Sequence, residues 1–175
     1  MLMDEYKKYK DADNLFSKIY YIDWYDGGVT GILKLKDLEH WYLFNLAFFE
    51  PDEKVRIFSL NEVSANWILE IKSLTNLDDP HDTSNYEEIK AKVKNAFNHY
   101  RGDAFLLKAR YIEDAQCEIV KVPVSSLKYF DHIDDTFEQD EKYIEKLKSF
   151  FLPGKHKIRA LNPIKKPLIR SGFVI

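Results

Sequence analysis

The spacing of apolar side chains along this chain changes period three times. From Tyr20 to Leu60 apolar residues alternate or run continuously, as in strands. From there to Tyr100 they recur at three and four residues, as on a helix face, and between Phe105 and Val124 they alternate again. The helical period returns from Tyr143 to Phe151. A succession of strands, then helices, then strands predicts segregated elements and an antiparallel sheet.

The first strand pair is the most sharply punctuated. The run Tyr20, Tyr21, Ile22, Asp23, Trp24, Tyr25 stops at Asp26, Gly27 and Gly28 and resumes at Val29, Thr30, Gly31, Ile32 and Leu33. Asp-Gly-Gly between two such runs predicts a hairpin, because glycine reaches the positive φ that a tight turn matching strand twist requires. Strict alternation then puts Tyr20, Ile22 and Trp24 on one face and Tyr21, Asp23 and Tyr25 on the other. Trp41 to Phe49 is apolar on both alternating faces, which predicts a central strand covered on both sides. Glu50 to Lys54 is a polar turn, and Val55 to Leu60 a further strand.

Leu60, Val63, Trp67, Ile71 and Leu74 predict a first helix. Asn76 to Ser84 is a polar loop. Ser84 and Glu87 fit a capping box for a second helix with Tyr86, Ile89, Val93, Phe97 and Tyr100 inward, ended by Gly102. Phe105, Leu107, Ala109 and Tyr111, a turn near Glu113 and Asp114, and the run Ala115 to Val124 make a second hairpin. A last helix, with Tyr143, Leu147, Phe150 and Phe151 inward, stops before Pro153 and Gly154. The sum is an α+β fold: a largely antiparallel sheet of five or six strands with about three helices packed mainly on one face.

Composition narrows the class. The 175 residues suit one domain, spanning 1–175. With 15% aromatic residues, the chain has enough bulky side chains for a core and some to spare for a surface. The net charge of −3 hides an asymmetry. Residues 153–175 hold six Lys or Arg and no acid, so residues 1–152 carry 20 basic and 29 acidic side chains, or −9. Aliphatic residues interleave with the basic ones, which predicts a tail folded back on the acidic body and argues against a nucleic-acid arm. A single cysteine, Cys117, excludes an intrachain disulfide and reads as a small buried apolar side chain. No uncharged run approaches the roughly 18 residues of a membrane span, and the N-terminus has no signal-like stretch, so the expected location is the cytoplasm.

Candidate chemistry is sparse. Two segments join histidine to carboxylates, one around His81 and Asp82, the other around His132 and Asp134. These residue types could ligate a metal or work as acid and base, but Asp and Pro also build solvated turns. Phosphate-loop, dinucleotide and nucleophile-elbow spacings are missing, and Ser125 and Ser126 have no base nearby in sequence. The sequence therefore predicts no catalytic, metal or cofactor set. It offers instead a low-entropy aromatic and acidic surface for another protein at Tyr21, Asp23, Tyr25 and Asp26.

The segment Asp23-Trp24-Tyr25-Asp26-Gly27, with Gly31 downstream and then Trp41, Tyr42 and Phe44, resembles uncharacterised bacterial proteins that begin with an Asp-Tyr-Tyr-Asp-Gly hairpin. Trp24 stands where that pattern has Tyr. The resemblance covers about a third of the chain and implies a bacterial or phage origin and an α+β domain, with no activity attached. Two functional expectations follow. One is a non-enzymatic protein-binding module, immunity-type or regulatory. The other is a small metal-dependent hydrolase or ligand-binding enzyme that assembles His81, Asp82, His132 and Asp134 in space.

Overall fold

The computed structural model describes residues 6–9, 16–24, 27–36, 40–50, 52–79, 81–99, 104–113, 116–129 and 140–152. The strands are β1 (Tyr6–Tyr9), β2 (Phe16–Trp24), β3 (Gly28–Leu35), β4 (Trp41–Glu50), β5 (Val55–Val63), β6 (Ala104–Ala109) and β7 (Cys117–Val122). The helices are α1 (Ala65–Leu74), α2 (Tyr86–His99) and α3 (Glu141–Ser149). All seven strands join one antiparallel sheet in the order β1-β7-β6-β5-β4-β3-β2. The α+β class follows, with the six expected strands present and β1 added at the edge beside β7. Four residues between masses of charge carry too little pattern to announce a strand.

Gly27 has φ of +127°, so the β2–β3 turn uses a backbone conformation that glycine alone adopts without strain. Gly31 answers a different need. It pairs with Tyr21 on one side and Phe44 on the other, and an added Cβ would lie 2.1 Å from the Tyr20 carbonyl oxygen. Side-chain volume there would push β2 off β3.

Ladder partners share a face, so the register sorts the core into rows. One row set, Tyr42, Phe44, Phe58, Leu60, Phe105, Leu107 and Ile119, forms a cluster that includes no residue of α1, α2 or α3. In the other, Ile32, Trp41 and Leu43 meet Ile68 and Ile71 of α1 and Ile89, Val93 and Phe97 of α2. Leu106, Val120 and Val122 meet Tyr143 and Leu147 of α3. Trp41 to Phe48 is thus buried on both sides, as its doubly apolar pattern predicts. Cys117 is buried in the first cluster.

The sheet curls. β2 and β6 are four strand spacings apart, roughly 19 Å in a flat sheet. Yet the Tyr21 hydroxyl donates to Glu113 Oε2 at 2.9 Å, just beyond β6, and Ile112 lies 3.2 Å from where a Cβ on Gly28 would stand. The two margins meet across the concave side, around the aromatic cluster.

Two element boundaries differ from the periodic reading. Leu60 and Val63 belong to β5, and α1 starts only after Ser64, whose Oγ accepts from Trp67 N at 3.1 Å. Leu60 and Val63, three residues apart, fall on opposite faces of a strand covered on both sides, which mimics one helical face, and the Ser64 cap marks where the strand ends. The capping position expected at Ser84 falls one residue later: α2 begins at Tyr86, and the Asn85 carbonyl, on a residue at φ +56°, accepts from Ile89 N at 3.0 Å. Tyr100, expected on the inward stripe of α2, the end expected at Gly102 and the basic tail 153–175 lie outside the described residues.

Beneath the helices runs a buried polar row. Asn45 Nδ2 donates to Thr30 Oγ1 at 3.0 Å, and Ser59 Oγ to the Asn45 carbonyl at 3.3 Å. Asn61, 1% exposed, has neither amide atom hydrogen-bonded.

Candidate functional site

The surroundings of β2 hold most of the chemistry. The alternation predicted for this strand fails at Ile22. Tyr21 pairs with Gly31 and Asp23 with Thr30, so two steps on β2 match one on β3; the next step, from Asp23 to Trp24, spans two residues of β3. These opposed bulges rotate the side chains between them. Tyr20 and Ile22 join the cluster under α1 and α2, while Tyr21 packs in the concave cluster. Asp23, expected beside Tyr21, reaches α2 instead. It accepts from the Tyr86 hydroxyl at 2.5 Å and from Lys90 Nζ at 2.9 Å. The pair is largely dry, with side chains 9% (Lys90) and 13% (Asp23) exposed.

Trp24, which strict alternation puts on the face of Tyr20 and Ile22, is 57% exposed and stands edge-on to the Tyr21 ring at 4.8 Å. Tyr21 is a locked donor. Burial first, then the hydrogen bond and charge of Glu113, push its phenol above the ordinary tyrosine range. Of the four proposed anchors, Tyr21 and Asp23 thus point to different layers, and Tyr25 and Asp26 lie outside the described residues. Beside the turn, Arg56 is buried with its guanidinium 4.3 Å from the Phe49 ring centre and 4.4 Å from that of Tyr111, and Nη1 donates to the Arg110 carbonyl at 2.6 Å. Sequence reasoning missed it, because a lone charge in an apolar strand reads as its solvent side.

The loop between α1 and α2 is built from Asx turns. Asn76 Oδ1 accepts from Asp78 N, Asp79 Oδ1 from His81 N, and Asp82 Oδ1 from Ser84 N, while Asp82 Oδ2 closes the loop by accepting from Asn76 N at 2.8 Å. Those backbone donors hold the Asp82 carboxyl down at about 2. Asp82 is therefore a turn-builder, and Asp134 and His132 lie outside the described residues. Among the described residues no three His, Cys, Asp or Glu side chains gather as a metal would need.

This loop, the end of α1 and Tyr20 enclose an open cavity of about 560 Å³. Tyr20 stacks on Trp41 at 6.1 Å and 14°. Lys72 sits 5.8 Å from the first ring centre and 5.5 Å from the second, Lys18 5.9 Å from Tyr20, and Lys34 5.4 Å from Trp41.

Comparison with protein-family models, with curated proteins and with solved structures finds no match. No helix among the described residues is long and apolar enough to cross a membrane.

Proposed function

We propose that this protein is a non-enzymatic binding module, of regulatory or immunity type, that docks another protein along the outer edge of β2. The observation that carries the reading is the place of Trp24. It ends one of the two edge strands of the sheet, and it is about half exposed to water. Among the described residues no strand pairs with the outer side of β2, so its main chain can take an added strand. A half-exposed Trp already braced against Tyr21 costs little entropy to immobilise and serves as the anchor. Glu113 beside Tyr21 and the acidic body favour a partner with basic side chains near that anchor.

The test is affinity capture from the native source followed by titration of the purified pair. Trp24→Ala should weaken that complex roughly tenfold or more, as hot-spot truncations do, while leaving the melting temperature unchanged. Equal affinity for wild type and Trp24→Ala would reject the docking edge. Self-association abolished by Trp24→Ala would assign the edge to a second copy.

A further inference from the structure

Beside β2 the molecule leaves a groove. Its wide part is the cavity of about 560 Å³, walled by Tyr20, by Lys72 at the end of α1 and by the loop between α1 and α2. A narrow arm of about 20 Å³ shares Asn76, Leu77 and Asp82 with the wide part and adds Tyr21, Ile22, Asp79 and Tyr86. Ile22 turns to the helix side of the sheet and Tyr21 to the concave side. Two residues that face opposite ways wall one groove only along the margin of their strand, where the main chain itself is reached. That margin has no neighbouring strand among the described residues. The groove therefore lies between the free edge of β2 and the α1–α2 loop. Its charges are lopsided, with Asp78, Asp79 and Asp82 against Lys72. Among the described residues none of the three carboxylates forms an ion pair. Asp82 is held ionised by backbone donors, one to each oxygen, and each oxygen keeps a lone pair for a further donor.

We propose, resting on the docking edge of β2 described above, that the partner's added strand lies in this groove and puts an arginine side chain into the cavity. A strand residue takes up roughly 160 Å³, from a rise of about 3.3 Å, a strand spacing of about 4.8 Å and a depth of about 10 Å. About 560 Å³ thus seats about three residues of an extended segment. Side chains alternate along an added strand, so every second one turns towards the loop. There the groove stays negative even with Lys72 counted, and an acidic side chain would be repelled. A guanidinium suits the place because its planar fork of donors matches a carboxylate. The main chain of β2 supplies the general attraction for a strand, and the carboxylates select which strand and which register.

Selection of a random-peptide phage library on the full chain tests this. Enriched peptides should share an arginine within an alternating, strand-forming pattern. As synthetic peptides they should bind the full chain in a calorimetric titration, and arginine replaced by glutamine should weaken them roughly tenfold. Asp78→Asn/Asp82→Asn should weaken the arginine peptide by a similar factor and leave its glutamine form unchanged. Asp82 also closes the loop, whereas Asp78 enters those turns through its backbone N–H, so Asp78→Lys serves as the second variant with the same expected direction. Trp24→Ala separates this inference from the reading beneath it. Peptides lost with Trp24→Ala that share no arginine, or that bind both aspartate variants as well as wild type, would overturn the role of the cavity and leave the docking edge standing. Peptides indifferent to Trp24→Ala would overturn both. A library that yields no binder would overturn this inference and leave the edge to be judged on the native pair.

Discussion

Asp23→Asn removes the charge that Lys90 was brought indoors to meet. The pair joins β2 to α2 at 2.9 Å with both side chains close to dry, and the same carboxylate accepts the Tyr86 hydroxyl. Removing one partner of such a pair typically costs about 3–5 kcal/mol, since the remaining charge keeps its desolvation penalty and loses its counter-charge. The slight exposure of both side chains favours the lower end, so we expect about 3 kcal/mol for Asp23→Asn and a similar loss for Lys90→Met. For a chain of this size that lowers the melting temperature by roughly 6–12 °C. The double variant Asp23→Asn/Lys90→Met removes both buried charges while keeping an acceptor for the Tyr86 hydroxyl, and should lie well above the sum of the single losses. Urea and thermal unfolding of the four proteins close the cycle. Single losses below about 1 kcal/mol, or losses that simply add in the double variant, would show that the pair does not tie β2 to α2.

Asn61 offers the opposite sign. Its amide is buried with both polar atoms unpaired, so Asn61→Leu should raise stability by about 1 kcal/mol or more; a lower urea midpoint at unchanged slope would contradict this. Asp82 should titrate near 2 in a carbon-detected NMR titration, below its ordinary 3.8. A depressed carboxyl contributes stability that is complete above the ordinary value and is lost as pH falls through about 2. Asp82→Asn should flatten that part of the acid unfolding curve, and an Asp82 midpoint at the ordinary value would refute the loop closure.

Trp41 to Phe49 shows what the sequence alone determines. Its unbroken apolar character needs cover on both faces, and the structure supplies an aromatic concave cluster on one side and α1 and α2 on the other. The hairpin at Gly27, the strands that follow and the three helices were legible in the same way, because burial of apolar surface acts with the period of the local backbone. Asp23 shows where that reading ends. Its direction depends on a bulge in the pairing with β3, and its partners Tyr86 and Lys90 stand 63 and 67 residues away. The same holds for Tyr21 and Glu113, 92 residues apart, which meet only because the sheet curls, and for the lysines gathered from β2, β3 and α1 around Tyr20 and Trp41. Periodicity is a property of neighbours along the chain. A bulge, a curl or a converging set of charges is settled by contacts between distant segments, and only the tertiary structure decides them.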